Sequence, residues 1–343
     1  MNMNFKRKLT IPMETKAMYP LSRDMEAVIE LRRQEIKDIF TGKDQRILLV
    51  IGPCSADHED SVIDYISRLI PVQEKISDRI LIVPRVYTGK PRTTGEGYKG
   101  MLHQPDPEAE PDLYKGIIAM RELHMRALNE TGFVCADEML YPENYKYVDD
   151  LLGYVAVGAR SVEDQQHRMT ASGIEIPVGM KNPTSGDMSV MLNSIHAAQQ
   201  PQDFIYRGWE AHSYGNPLAH AVLRGYTDRY GVMHPNYYRD DILELIRLYR
   251  DSKLENPALI VDCNHANSGK DPFRQIEIVK DVLGYRREDS DIRSILKGFM
   301  VESYIEDGRQ DVSGKVYGQS ITDACIGWKK TESLIYDMAE MIQ

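Results

Sequence analysis

The sequence predicts an α/β fold, a TIM (β/α)8 barrel with an N-terminal helical extension and long βα loops, and three observations predict it. Eight short runs rich in Ile, Leu, Val and Ala recur along the chain, as strands buried on both faces do: RILLVIGPCS, RILIVPRVY, FVCADE, YVAVGAR, IPVGMK, LAHAVLR, ALIVDCNH and ILKGFMVE. Amphipathic stretches of helical length separate them, so the order alternates strand and helix rather than grouping strands together. Each run ends on or near a residue that can bind an anion or a metal: Cys54, Arg85, Glu138, Arg160, Lys181, Arg224, His265 and Glu302. In a parallel barrel that end of the strands builds the active face.

Ahead of the first strand, SRDMEAVIELRRQEIKDIFTG reads as a helix with Ser22 or Asp24 near its N-cap and Gly42 near its end. DSVIDYISRLIPVQEKI follows the first run, DLYKGIIAMRELHMRALNETG the second, DILELIRLYRDSKLE the sixth and DPFRQIEIVKDVLGY the seventh. Several of these stop at a Gly, as helices often do. Three long loops, at 88–110, 205–217 and 304–318, complete the outline, and loops of that length in a compact domain usually serve function or an interface. The barrel is assigned to 46–343, and 1–45 forms an extension for oligomer or regulatory contacts.

A chain of 343 residues with 42% hydrophobic residues can bury one large core. The net charge of −10 and a pI near 5.5 argue against nucleic acid or an anionic membrane as partner. No apolar run reaches the about 18 residues that span a bilayer. MNMNFKRKLT lacks the apolar stretch of a signal peptide, so a cytoplasmic protein is expected. Four cysteines without short paired spacing point to reduced thiols. Cys135 and Cys263 lie inside apolar strands and read as core residues; His58, His124, His167 and His196 fall in helical stretches and read as surface or packing groups.

Six cations, Arg85, Lys90, Arg92, Arg160, Lys181 and Arg224, stand at or just past strand ends. Gathered in one mouth they would repel by several kcal/mol unless anions bind there, so strongly anionic substrates are expected and phosphates come first. Arginine supplies a bidentate fork for phosphate or carboxylate, and lysine a point charge or a proton. Taken singly, each cation is better explained by tipping into solvent or pairing with a neighbouring carboxylate; it is six together at strand ends that this does not explain.

Among them Cys54, His265, Glu302 and Asp323 offer one sulfur, one imidazole nitrogen and two carboxylates from the first, seventh and eighth strand ends and the segment beyond. The eighth strand of a closed barrel neighbours the first and seventh, so these groups can converge. The mixed set suits one divalent ion such as Mn, Fe, Co or Zn better than Mg or Ca. On topology alone, a core thiol, a core imidazole and a carboxylate salt-bridged to arginine account for them equally well.

Certain blocks carry more: IGPCS at 51–55, PRVYTGKPRTTGEGYKG at 84–100, VGARS at 157–161, VGMKN at 178–182, LRG at 223–225, NHANSGK at 264–270, MVES at 300–303 and SITDACIGW at 320–328. In content and order they resemble the signature blocks of the 3-deoxy-D-arabino-heptulosonate 7-phosphate (DAHP) synthases, in their short-chain microbial class. The resemblance implies condensation of phosphoenolpyruvate with erythrose 4-phosphate, the first step of the shikimate pathway to the aromatic amino acids. It implies that Arg160 and Arg224 hold the phosphate of phosphoenolpyruvate and Arg85 and Lys181 its carboxylate. Arg92 and Thr93 would take the phosphosugar and Lys90 would stand at the reacting carbons. Glu138, or water on the metal, would activate the attacking water, and Cys54, His265, Glu302 and Asp323 would be the metal ligands.

The same resemblance implies a homodimer or homotetramer regulated by an aromatic amino acid, phenylalanine or tyrosine, although ADEMLYPENY at 136–145 differs from the stretch where sensitive relatives place effector-binding residues. Two alternatives stand beside it: a 3-deoxy-octulosonate 8-phosphate synthase, against which KPRTT and the long N-terminal helix argue, and a non-catalytic effector-binding barrel.

Overall fold

Each of the eight apolar runs contains a parallel strand in the structure, a computed structural model that describes residues 2–342. In chain order these are β1 (Ile47–Gly52), β2 (Ile80–Pro84), β3 (Ala136–Glu138), β4 (Tyr154–Val157), β5 (Val178–Lys181), β8 (Ala219–Leu223), β11 (Leu259–Asp262) and β12 (Leu296–Glu302). They hydrogen-bond in the order β2-β1-β12-β11-β8-β5-β4-β3. A parallel bridge between Arg85 and Ala136, with Val86 N donating to Ala136 O at 2.9 Å, joins the two ends and closes the barrel.

Side-chain alternation sorts the strands into two apolar layers. Ile47, Leu49 and Ile51 of β1 face the helices, whereas Leu48 and Val50 join Leu81, Val83, Ala136, Tyr154, Ala156, Val222, Ile260 and Met300 inside the barrel. This period of two is the geometry of any strand; here it also decides which end residues look into the mouth.

The helices lie outside: α3 (Glu59–Ile76), α4 (Leu113–Thr131), α6 (Gln165–Ser172), α7 (Met188–Gln199), α8 (Arg239–Ser252), α9 (Arg274–Glu288) and α11 (Trp328–Met341). α4 shows why they start and stop where they do: Asp112 caps it by accepting from Lys115 N at 3.1 Å, and Gly132, at φ 71°, ends it in the left-handed conformation. The extension holds α1 (Pro12–Met18) and α2 (Arg23–Phe40), and Ser22 is the N-cap of α2. Ile36, Ile39 and Phe40 of α2 pack into the interior layer, Phe40 lying 4.3 Å from the His220 ring, so this helix plugs the end of the barrel opposite the active face.

The 205–217 loop proves to be mostly a hairpin of β6 (Gln202–Tyr206) and β7 (Trp209–Ser213), turned by Arg207 at φ 54° and Gly208 at φ 81°. Two successive positive φ values make the tight turn that matches strand twist, and Arg207-Gly208 lacks the Asn-Gly signature that would have announced it. A second small hairpin, β9 (Tyr226–Thr227) with β10 (Met233–His234), follows β8 and was equally silent in the sequence. The short helices α5 (Pro142–Tyr145) and α10 (Ser290–Ile295) complete the chain. No helix of the described residues is long and apolar enough to cross a membrane.

Candidate active site

Continuing the inward alternation past each strand leads to the mouth. Leu48 and Val50 run on to Cys54, Leu81 and Val83 to Arg85, Ala136 to Glu138, and Tyr154 and Ala156 to Arg160. On the other side His220 and Val222 run on to Arg224, Ala258 and Ile260 to Asp262, and Met300 to Glu302, while Lys181 ends β5 on the same parity as Gly179. His265 lies past β11 and off this parity; it adopts φ 57°, a left-handed conformation uncommon for a residue with a side chain.

A cavity of about 290 Å³ opens here, and eleven of the twelve residues read from the sequence line it: Cys54, Arg85, Lys90, Arg92, Thr93, Glu138, Arg160, Lys181, Arg224, His265 and Asp323. Glu302, the twelfth, is fully buried beneath it. Tyr87, Ser161 and Lys270 also line it and were not singled out. Tyr87 continues the parity of β2 and places its ring 3.6 Å under the Arg85 guanidinium.

One side of the cavity gathers metal-type ligands. An atom each of Cys54, Glu302 and Asp323 lie within 4.8 Å of one another, a grouping able to hold a metal ion. His265 presents Nε2 at 3.8 Å from Glu302 Oε1, while its Nδ1 faces Asp262 at 3.0 Å. Donation from Nδ1–H to that carboxylate leaves the Nε2 lone pair free, the arrangement common for imidazole ligands. Glu302 is itself held, accepting from Arg85 Nη2 at 2.9 Å and from Asn264 Nδ2. Sulfur, imidazole, one buried and one partly exposed carboxylate in this arrangement fit a borderline divalent ion.

Lys90 reaches into the same group, donating to Cys54 Sγ at 2.7 Å and to Asp323 Oδ2 at 2.8 Å. Burial alone would lower the Lys90 pKa, but Cys54, Asp323 and Glu302 override it and hold the ammonium well above the ordinary lysine range. For Cys54, burial and then Glu302 push the thiol up to about 11 against the pull of Lys90 and Arg85. For Asp323, burial is outweighed by Lys90, which holds the carboxyl well below the usual range.

The other side is cationic. Arg85, 2% exposed, spends Nε on Pro53 O and Nη2 on Cys54 O and Glu302, and its buried Nη1 has no partner among the described residues. Lys181 donates to Asp262 Oδ2 at 3.1 Å. Burial pushes Asp262 up, yet His265, Lys181 and Arg85 hold it well below the ordinary carboxylate range. Burial, with Arg160 close by, holds the Arg224 guanidinium below its usual value. Arg92 anchors through Nε to Tyr98 O at 2.8 Å, and Thr93 is exposed beside it. Asp262 stands beside the residues that the sequence points to, and its own signal there is a charged residue at an inward position of an otherwise apolar strand.

Cys135 and Cys263 are buried in the core as expected, and His124 is buried with Nε2 3.4 Å from Asp137.

Comparison with known proteins agrees with this geometry. The model of the DAHP synthetase I family matches residues 18–335. The chain is 37% identical over 339 residues to the Tyr-sensitive phospho-2-dehydro-3-deoxyheptonate aldolase of Escherichia coli (strain K12), covering 96% of this chain and 92% of that one. It is 33% identical to the Trp-sensitive enzyme of the same organism, covering 97% and 95%. The solved structure of the Francisella tularensis SCHU S4 phospho-2-dehydro-3-deoxyheptonate aldolase superposes with a TM-score of 0.92 at 31% identity, over 100% of this chain and 99% of that one. Matches of this length and identity, on a barrel whose strand ends converge as described, decide among the readings left open by the sequence: the chain belongs to the DAHP synthetase I family and has the activity of a DAHP synthase.

Proposed function

We propose that the cavity joins phosphoenolpyruvate to erythrose 4-phosphate with a defined division of labour among its residues. The observation that carries this reading is the buried Nη1 of Arg85, which has no partner among the described residues and is set in a cavity that gathers seven cations, Lys270 among them. A buried guanidinium nitrogen without an acceptor is costly, and an anionic substrate oxygen supplies one. Arg85 and Lys181 take the carboxylate of phosphoenolpyruvate, Arg160 and Arg224 its phosphate, and Arg92 with Thr93 the phosphate of the sugar.

The methylene carbon of phosphoenolpyruvate attacks the aldehyde carbon, and Lys90, held as an ammonium, donates a proton toward the developing alkoxide. Water then adds to the cationic former enol carbon, Glu138 accepting its proton, and phosphate leaves by cleavage of the carbon–oxygen bond. Cys54, His265, Glu302 and Asp323 would hold one divalent ion, Mn, Fe, Co or Zn, which when bound supplies Lewis acidity toward the aldehyde oxygen. The test is phosphate release from phosphoenolpyruvate: it should require erythrose 4-phosphate and cease after chelation.

A second cavity, of about 860 Å³, favours an aromatic amino acid effector. It lies between Pro12, Met13 and Lys16 of the extension and Glu143, Tyr206, Arg207 and Trp209, offering apolar and aromatic surface together with charges of both signs. That is the chemistry a zwitterionic aromatic ligand needs. The extension, 1–45, thus serves regulation and contacts between copies in a cytoplasmic homodimer or homotetramer. Inhibition by tyrosine or phenylalanine, lost in Trp209→Ala with basal turnover kept, is the expected result.

A further inference from the structure

We propose that Asp262 is a positioning residue that links the metal side of the cavity to its anion side, so that occupancy of one raises affinity at the other. The inference rests on the assignment of His265 as a metal ligand and of Lys181 as a substrate contact. Asp262 is fully buried, and among the described residues no other touches both groups through hydrogen bonds: Oδ2 accepts from Lys181 Nζ at 3.1 Å, and Nδ1 of His265 lies 3.1 Å from Oδ1 and 3.0 Å from Oδ2. Among the described residues this carboxylate is the sole hydrogen-bond acceptor of Lys181 Nζ. The backbone holds it too, since Asn264 N donates to Oδ1 at 3.1 Å and Asn267 Nδ2 to Asp262 O at 2.8 Å.

Two donors therefore compete for one carboxylate. A cation on Nε2 of His265 makes Nδ1–H a stronger donor and draws the carboxylate toward the ring. Lys181 is then released to an incoming anion. Conversely, an anion that engages Lys181 leaves Asp262 to polarise His265, which tightens metal binding; linkage makes the two effects equal.

The experiment measures manganese binding from the free-ion paramagnetic signal and phosphoenolpyruvate binding by calorimetry, on the full chain. Asp262→Asn should weaken manganese about tenfold to hundredfold, the usual cost of removing such a partner, and abolish the gain in phosphoenolpyruvate affinity that manganese confers on the parent. Lys181→Met, which fills the buried site without the ammonium, should tighten manganese about fivefold or more. Arg160→Met removes the same charge from the mouth without a hydrogen bond to Asp262 and reports the plain field effect, which should be about twofold or less when screened by salt. In an Asp262→Asn background the Lys181→Met effect should vanish. Equal shifts from Lys181→Met and Arg160→Met, or a Lys181→Met effect that survives Asp262→Asn, would overturn the linkage while leaving the metal assignment intact. A parent enzyme that binds no manganese overturns the assignment and the linkage together. Because Lys181→Met carries the decision, instability of Asp262→Asn does not shelter the proposal.

Discussion

Arg85 and Glu302 form a fully buried ion pair, Nη2 to Oε1 at 2.9 Å, that ties the cationic side of the cavity to the carboxylate of the metal-type cluster. Removing the guanidinium strands a buried carboxylate, so Arg85→Met should destabilise the enzyme by about 3–5 kcal/mol. Arg85→Lys should recover most of that stability but not the affinity for phosphoenolpyruvate, because a point charge replaces the fork. Denaturant midpoints and calorimetric binding on both variants check this; unchanged stability in Arg85→Met would remove the pair from the account.

The cluster of Cys54, Glu302 and Asp323, with His265 beside it, should make the enzyme metal-dependent. Exhaustive chelation should abolish turnover, and Mn, Co or Fe should each restore it, since sulfur beside oxygen ligands tolerates several ions. Full activity in protein free of metal by elemental analysis would contradict the assignment.

Charge at the mouth should be divided between the substrates. Arg160→Ala is expected to raise the KM for phosphoenolpyruvate more than about tenfold, because a charge-assisted contact contributes about 1.5–3 kcal/mol. Arg92→Ala should weaken erythrose 4-phosphate selectively. Equal effects of either variant on both substrates would show that the division is wrong.

Gly158 lies so close to Glu138 that an added Cβ would stand 2.5 Å from Oε1. The obstructing atom is the end of a side chain, so Gly158→Ala should displace the carboxylate rather than unfold the barrel. If Glu138 takes the proton from water, kcat falls while the melting temperature stays within a few degrees. A variant with normal kcat would leave Glu138 without that role.

His220 sets an acid limit on stability. Burial holds it down to about 4 from the ordinary 6.5, against the backbone carbonyl of Leu218 that Nδ1–H donates to, while Nε2 accepts from Tyr154 Oη at 2.9 Å. Above pH 6.5 the ring is neutral in both folded and unfolded chains and its contribution is fully present. Between pH 6.5 and 4 the unfolded chain takes up a proton that the folded one refuses, a loss that reaches about 3 kcal/mol. Unfolding measured from pH 7.5 to 4.5 should show this slope, and His220→Gln should flatten it whatever its effect at pH 7.5.

Much of the molecule was legible in its residues alone. Short apolar runs alternating with amphipathic ones impose a parallel sheet covered by helices, and the strands' ends named the cations and the metal-type ligands, because buried strands tolerate charge only where they emerge. Three things waited for tertiary structure. The 202–213 hairpin turns on Arg207-Gly208, whose left-handed backbone is selected by the pairing of its strands rather than by local preference. Asp262 gains its meaning from Lys181 and His265, which reach it from a strand far away in sequence and from a left-handed bend beyond its own. The depth of Phe40 against His220, which makes α2 the floor of the barrel, depends on how a helix fills the space that eight closed strands leave. Period and composition are local and can be read along the chain; closure and convergence are set by distances between segments far apart in sequence, and only the folded chain has those.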